Sequence, residues 1–260
     1  MLCSEITKKI EERYPKHYAM EWDNVGLLVG RHDKEVQKIY IALDATDEVI
    51  EDAVNWGADL LLTHHPMIFK GMKCITDQDF IGRRVLKLIQ NDISYYAMHT
   101  NYDVKGMAQL AGEYLEMKEM EVLEVTAEED GTVDGIGRVG MLMEEMTLGD
   151  CCQFVKKAFG LPNVKVFGDL NKIVRCAALS PGSGKSVIVN ALRKGADVLI
   201  TGDIDHHEGI DAVAQGMMII DAGHYGTEYI YMEDMRKFCM TNFPEIQVRT
   251  ARVQQPFQIL

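Results

Sequence analysis

The sequence has little positive charge, no long apolar run and no paired-cysteine motif. Its 260 residues include 27 Lys and Arg against 40 Asp and Glu, which gives a formal net charge of −13. Proteins that bind nucleic acid through its phosphates need a basic face, so strong nucleic-acid binding is not expected. The same deficit argues against attachment to an anionic membrane surface. A small-molecule substrate that binds through a metal cation is compatible with this composition.

Two further features that the sequence lacks bear on the cellular location of the protein. No apolar run approaches the roughly 18 residues of a membrane-spanning helix. The opening segment Met1-Leu2-Cys3-Ser4-Glu5 lacks the basic and apolar stretches of a secretory signal. The six cysteines form no C-x-x-C pair, and the adjacent Cys151 and Cys152 are expected on a helix. A cytoplasmic protein with reduced cysteines is the simplest interpretation.

The first half of the sequence alternates short apolar runs with amphipathic segments. The apolar runs predict strands at 25–30, 39–44, 60–63 and 93–98. The amphipathic segments predict helices at 4–13, 47–56 and 80–90, the second of which is closed by Gly57. Alternation of this kind is typical of βαβ units and of a mainly parallel sheet covered by helices. We therefore predict an α/β fold.

The second half repeats this pattern, with predicted strands at 173–179 and 196–201 on either side of a helix at 186–194. Residues 57–63 (Gly-Ala-Asp-Leu-Leu-Leu-Thr) match residues 195–201 (Gly-Ala-Asp-Val-Leu-Ile-Thr) at most positions, and the remaining positions are aliphatic in both. Duplication explains the match, and chance similarity of two apolar strands is the alternative. We predict two similar α/β halves that face one another across a central metal-binding cleft.

The predicted domain boundary follows from this repeat. Residues 1–125 form the first half and residues 126–260 the second, whose C-terminal segment packs back on the first. The acidic segment 119–134 is interpreted as the connector, with no inserted middle domain, and a strand at 135–142 opens the second half.

Histidines and carboxylates stand where the predicted strands end, as three pairs: His64 with His65, His99 with Asp103, and His224 with Glu228. Open α/β sheets bind ligands at the carboxyl ends of their strands. Imidazole and carboxylate ligands without thiolate suit Zn, Mn, Fe or Ni. Five or six such ligands exceed what one four-coordinate ion requires, so we predict two divalent metal ions per chain.

Each of these residues also has a structural interpretation. One histidine of the pair at 64 and 65 can cap a buried carbonyl, and Asp103 can cap the helix that follows it. His99 fits equally well as a ligand or as a neighbour of the ligands. Glu228 is our candidate for the carboxylate that bridges two ions about 4 Å apart, although a glutamate in a first helical turn is also favoured by the helix dipole.

Three other polar segments are weaker candidates. The turn that runs from Pro181 to Ser186 ends in Gly-Lys-Ser like a Walker A loop, but Leu179 stands where that motif needs glycine. Lys185 and the following helix start can still receive an anion, or the turn is purely structural. Residues 203–208 (Asp-Ile-Asp-His-His-Glu) follow the strand end that matches His64 and His65, so they can line the cleft, but we interpret them as solvated residues at a helix start. Asp23 and Asn24 are interpreted as a turn into a strand that can also face the cleft.

Together, in chain order, these segments resemble the GTP cyclohydrolase 1 type 2 homologue family, also called Nif-three-like. The matching segments are 21–30, 63–66, 99–103, 182–184, 201–203 with His206 and His207, and 223–228. The resemblance implies a two-domain α/β protein with a dinuclear metal site, assembled as a ring-shaped homohexamer. The chain is too short for the extra middle domain that longer members of the family carry.

The resemblance also implies the site residues. The metal ligands it implies are His64, His65, Asp103, His224 and Glu228. The resemblance places His99 beside these residues as a further candidate ligand. In the reaction that the family name suggests, His99 is the candidate proton shuttle and Lys185 the hypothetical contact for the substrate phosphates. The family name suggests hydrolytic opening of the guanine ring of GTP, which bound divalent ions can assist by activating water. Two alternatives are open: hydrolysis of other or damaged nucleotides, and a non-catalytic metal-binding scaffold or regulator.

Overall fold

The structure, a computed structural model, describes residues 1–259, which divide into two compact units. The first unit consists of Met1–Tyr102 together with Tyr231–Gln254. The second consists of Asp103–Ile230 together with the segment that starts at Gln255. These units differ in extent from the two sequence halves, 1–125 and 126–260, and the division into halves stays a prediction.

The first unit is built on a mainly parallel sheet. Its strands are β1 (Gly26–Val29), β2 (Lys38–Ala42), β3 (Leu60–Thr63), β4 (Ser94–Ala97) and β11 (Gln247–Thr250). They lie in the order β1-β4-β3-β2-β11, with β1 antiparallel to β4 and the other neighbours parallel. The βαβ interpretation is confirmed for this unit, and the late strand β11 extends the sheet beside β2.

Helices follow these strands much as the sequence indicates. They are α1 (Cys3–Arg13), α2 (Asp47–Trp56), α3 (Phe80–Gln90), α4 (Thr100–Tyr102) and α10 (Ile230–Asn242). The hydroxyl of Thr46 accepts the backbone N–H of Val49 at 3.2 Å and so caps α2. Gly57 ends that helix with a φ of 72°, a conformation that glycine adopts without strain. The bounds predicted for α2 and α3 are confirmed.

The second unit has a mixed sheet. Its strands are β5 (Lys118–Glu129), β6 (Thr132–Thr147), β7 (Lys165–Phe167), β8 (Ile173–Ser183), β9 (Val198–Gly202) and β10 (Met218–Asp221). They lie in the order β5-β6-β8-β9-β10-β7. Only the β8–β9 and β9–β10 pairs of this sheet are parallel, and the other three pairs are antiparallel. The mainly parallel sheet predicted from the sequence is therefore wrong for this unit.

The acidic segment 119–134 is not a connector. It lies in β5 and β6, which form a hairpin around Asp130 and Gly131. These two residues have φ values of 49° and 77°, as a two-residue hairpin turn requires. The acidic residues of β5 are mostly exposed, so they resemble a solvated linker in the sequence while their backbone groups pair in the sheet.

The helical segments of the second unit are a π-helical turn (Asp103–Met107), α5 (Ala108–Tyr114), α6 (Leu148–Ala158), a 3-10 turn (Lys185–Val187), α7 (Ile188–Arg193), α8 (His206–Ala214) and α9 (His224–Glu228). Cys151 and Cys152 lie on α6, as predicted, and both are buried. Among residues 1–259, no helix is both long and apolar enough to cross a lipid bilayer.

The repeated sequence has the same role in both units. Gly57 and Gly195 both have a φ of 72°. Asp59 then accepts two backbone N–H bonds near the start of β2, at 2.8 and 3.0 Å. Asp197 accepts two near the start of β8, at 2.9 and 2.8 Å. Because two side chains far apart in sequence make the same pair of bonds, this geometry supports the internal duplication.

Candidate metal centre

Three histidines of the first unit come together at the carboxyl ends of β3 and β4. His64 and His65 directly follow β3, and His99 follows β4. Their ring centroids are 4.8 Å apart for His64 and His65, 5.3 Å for His64 and His99, and 5.5 Å for His65 and His99. Each ring offers a nitrogen within 4.8 Å of the other two. The parallel register of β3 and β4 produces this cluster, because it brings the two strand ends to the same edge.

Hydrogen bonds at Nδ1 orient all three rings. His64 Nδ1 lies 3.0 Å from the carbonyl oxygen of Met98, which can only accept. His65 Nδ1 lies 2.8 Å from Oδ1 of Asp44. A neutral imidazole that donates from Nδ1 carries its lone pair on Nε2. Metal-ligating histidines are held in this tautomer by the same kind of oxygen acceptor.

Asp23 holds the third ring. Its Oδ1 lies 2.9 Å from His99 Nδ1, and its Oδ2 accepts from the backbone N–H of Thr100 at 3.0 Å and from the Thr100 hydroxyl at 2.5 Å. Burial by itself raises the pKa of this carboxyl, but the hydrogen bond and charge of His99 and the two bonds from Thr100 outweigh it. They lower the pKa of Asp23 to about 2. Asp23 is therefore a carboxylate at neutral pH, and His99 Nδ1 is the donor.

The second unit brings together the other candidates. His224 and Glu228 begin and end α9, and His224 Nε2 lies 3.0 Å from Glu228 Oε2. Glu228 is almost completely buried, and one of its carboxylate oxygens lies within 4.8 Å of a carboxylate oxygen of Asp103. His224 Nδ1 lies 2.7 Å from Oδ2 of Asp203. His224 thus has the same Nδ1-to-carboxylate arrangement as His65 and His99.

Glycines make room for these side chains. Gly182, on β8, has a φ of 71°, and a Cβ added to it would lie 2.2 Å from Oε1 of Glu228. A Cβ on Gly202, at the end of β9, would lie 2.4 Å from the backbone nitrogen of His224. The hydroxyl of Thr227 accepts the backbone N–H of Gly182 at 2.9 Å and so joins α9 to β8. The glycine-rich turn therefore has a clear structural role.

Lys185 lies in the turn that follows β8. Its side chain is more than half exposed, and its Nζ is 3.9 Å from Oδ2 of Asp205. It lines a cavity of about 1110 Å³ in the second unit, together with Lys165, Asp203 and Gly223. Lys165 is exposed to the same degree, but its ion pair with the nearly buried Asp221, at 2.8 Å, is closer than that of Lys185 with Asp205.

The donor set of each unit fits a divalent ion. The nitrogens come from imidazoles held in one tautomer and the oxygens from carboxylates, which are the ligands that Zn, Mn, Fe and Ni accept in proteins. These His and Glu clusters could hold a metal ion. Sequence reasoning found the candidate ligands but not all of the carboxylates that orient their rings. Asp44 was missed, although it ends an apolar run just as His64 does, and Asp203 was interpreted as solvated.

Comparison with known proteins agrees with this description. The family profile described as Duf34/NIF3 (NGG1p interacting factor 3) matches residues 1–256. The chain belongs to the DUF34/NIF3 family. This confirms the family resemblance and the α/β fold class predicted from the sequence. A relative in this group, from Clostridium perfringens strain 13, is named GTP cyclohydrolase 1 type 2 homolog. It is 38% identical over 231 residues, which are 88% of this chain and 87% of the relative.

Two solved structures show how far the likeness to DUF34/NIF3 proteins extends. A Bacillus cereus protein related to NIF3 superposes with a TM-score of 0.91 and 26% identity, over 100% of this chain and 99% of that one. Reduced HcgD from Methanocaldococcus jannaschii superposes with a TM-score of 0.82 and 32% identity, over 96% of this chain and 97% of that one. The fold described above is therefore shared over nearly the full length of both proteins.

Proposed function

We propose that this DUF34/NIF3 protein is a metal-dependent hydrolase that acts on GTP or a related nucleotide through two divalent ions per chain. The residues that would hold them are His64, His65, Asp103, His224 and Glu228. One observation carries the proposal. Three of these residues are histidines, and each of them donates from Nδ1 to an oxygen acceptor, which leaves Nε2 as the ligand atom.

The protein's own residues would orient the reaction. Bound divalent ions supply activation of water and polarisation of a substrate oxygen. His99 accepts a proton at Nε2 while its Nδ1 donates to Asp23, whose negative charge stabilises the imidazolium that results. Histidine suits this role because its ordinary pKa lies near neutrality. Asp44 and Asp203 keep His65 and His224 in the ligand tautomer.

A nucleotide substrate is supported by the names of the relatives and by the second unit. Lys185 lines the large cavity there and is exposed enough to contact a phosphate. Asp203, which holds His224, lines the same cavity. A phosphate that binds Lys185 would therefore lie near one of the proposed ligands. We also propose that the protein is cytoplasmic and assembles as a homohexameric ring, as the family resemblance implies.

Metal content per chain tests the metal site. We expect about two transition-metal ions per chain in untagged wild type purified without chelators, and a sharp loss in Glu228→Ala. Glu113→Ala, which removes an exposed carboxylate of α5, is the matched control and should keep its metal. Wild type that stays metal-free after exposure to Zn, Mn, Fe and Ni would exclude the hydrolase.

Turnover then separates the candidate reactions. The metal-loaded protein is incubated with GTP and with a panel of other and damaged nucleotides, and both phosphate and a fluorescent pterin-type product are measured. A pterin-type product supports the GTP reaction. Phosphate or nucleoside release without that product supports the second candidate, a nucleotide phosphoesterase. If chelation lowers the thermal unfolding temperature and no substrate turns over, the metal has a scaffolding role.

A further inference from the structure

Trp22 and Phe69 form a pair of aromatic side chains that lie largely in water. Trp22 is 62% exposed and Phe69 is 47% exposed. Their rings are nearly parallel, with an interplanar angle of 11° and centroids 6.1 Å apart. A tryptophan this exposed, joined to a second aromatic ring, is unusual on a protein surface and is typical of a binding site.

Hydrogen bonds hold the two segments that carry these rings. Asn24, two residues after Trp22, donates from Nδ2 to the carbonyl oxygen of Ile68 at 2.6 Å, directly before Phe69. Asp23, next to Trp22, is anchored by His99 and Thr100. The aromatic pair is therefore positioned by polar bonds rather than by burial of its own apolar surface. Such positioning lowers the entropic cost of binding a ligand.

The aromatic pair lies beside the histidine cluster. Trp22 meets the His99 ring with centroids 5.9 Å apart and planes at 71°, and Phe69 meets it at 5.7 Å and 74°. His99 in turn contacts the rings of His64 and His65. A flat molecule that stacks on the pair therefore lies next to His99. The candidate ligands His64 and His65 lie on from His99, whose ring contacts both of theirs.

We infer that Trp22 and Phe69 form the stacking surface that binds the planar heterocycle of the substrate, a purine or a related fused ring. Stacking on aromatic side chains is the general way in which proteins bind unpaired bases, because each base has a flat π-face. A purine seated there presents its ring atoms to His99. This inference deepens the proposed function and depends on it for the identity of the substrate, but it concerns binding and not turnover.

Guanosine binding tests this inference directly. Tryptophan fluorescence can follow the binding, because the chain contains two tryptophans, Trp22 and Trp56. In a Trp56→Phe background the fluorescence of Trp22 is observed alone. The full-length protein as purified is titrated with guanosine, and with ribose as the probe that lacks the ring. Guanosine lacks phosphate, so Lys185 does not contribute to the signal. We expect saturable quenching by guanosine and no change with ribose.

The guanosine affinity of variants of the aromatic pair is then compared with that of wild type. Equilibrium dialysis with guanosine is repeated for Trp22→Ala and Phe69→Ala, and each should bind about tenfold or more weakly. Trp22→Phe should keep most of the affinity, since it retains an aromatic face. Phe80→Ala is the matched control, because Phe80 is an aromatic residue of similar exposure that stacks against the Arg84 guanidinium instead. It should bind guanosine like wild type.

Three results would overturn the inference. Guanosine does not bind; or Trp22→Ala and Phe69→Ala bind it as wild type does; or Trp22→Ala changes the assembly mass in analytical ultracentrifugation without affecting guanosine, which makes the pair a contact between copies of the chain. Failure of the proposed function is distinct. Guanosine binding that depends on Trp22, without hydrolysis of any nucleotide, keeps the inference and removes the hydrolase. GTP turnover with an unchanged KM in Trp22→Ala keeps the hydrolase and removes the inference.

Discussion

Gly182 lies against the carboxylate of Glu228, so closely that a Cβ at position 182 would be 2.2 Å from Oε1 and 3.4 Å from Nε2 of His224. We expect Gly182→Ala to displace the Glu228 carboxylate and to weaken metal binding about 10- to 100-fold. The affinity is measured by competition with a chromophoric chelator.

Gly195→Ala is the matched control for this change. Gly195 has a φ of 72°, like the 71° of Gly182, but nothing lies within 4 Å of the position of its Cβ. The left-handed backbone conformation should lower the free energy of unfolding of both variants by roughly 1–2 kcal/mol. Gly182→Ala should lose more than that, because its Cβ also overlaps the Glu228 carboxylate. Only Gly182→Ala should lose metal. Equal metal affinity in the two variants would show that Glu228 is not a ligand.

The carboxylates at Nδ1 should control metal affinity without touching the ions. Asp44→Ala removes the acceptor 2.8 Å from His65 Nδ1, and we expect metal affinity to fall about 10- to 100-fold. Asp44→Asn keeps an acceptor oxygen and should lose less. Asp33→Ala, at an exposed aspartate of the same unit, should have no effect. Unchanged affinity in Asp44→Ala would contradict the role assigned to His65.

Asp234 on α10 stabilises the first unit through two tyrosines. The hydroxyls of Tyr14 and Tyr102 donate to its Oδ2 at 3.2 and 2.8 Å, and both tyrosines are buried. Asp234→Ala leaves both hydroxyls without this acceptor, so we expect a loss of about 2–4 kcal/mol in the free energy of unfolding. Tyr14→Phe removes one donor and should cost less. Urea unfolding measures both, and equal stability of Asp234→Ala and wild type would refute the arrangement.

Stability should fall as the pH rises through the alkaline range. Burial raises the pKa of Cys151 and Cys239 from 9.0 to about 12, and burial also raises the pKa of Tyr95 to about 12 against the opposing hydrogen bonds of Thr63 and Met67. Below about pH 9 these groups are protonated in both states and have no effect. Above it the unfolded chain releases protons that the folded chain keeps, so the free energy of unfolding decreases until the folded groups titrate near pH 12.

Urea unfolding at several pH values between about 7 and 11 tests this decrease in the free energy of unfolding with pH. We expect a total decrease on the order of several kcal/mol, since each pKa unit corresponds to roughly 1.4 kcal/mol per group. Cys239→Ala removes one of the titrating groups, so its stability should decrease less steeply with pH than that of wild type. A free energy of unfolding that stays constant over this range would be inconsistent with burial of these thiols.

Local sequence patterns were enough to predict many of the elements. The bounds of α2 and α3 and of β3 follow from apolar spacing and from Gly57, because these signals act within a few residues. The hairpin of β5 and β6 was not predicted. The acidic exposed faces of these strands resemble a linker, and their pairing depends on a partner strand that local composition does not reveal.

The sequence by itself determined which residue types stand at the strand ends: His64, His65, His99, His224 and Glu228 all follow apolar runs. It also showed the repeat of Gly-Ala-Asp at 57–59 and 195–197. Only the tertiary structure decided which carboxylates orient the rings and that Trp22 stacks on Phe69. These contacts join residues far apart in the chain, such as His99 and Asp23, 76 positions away, and they form only when folding brings separate loops to one edge of a sheet.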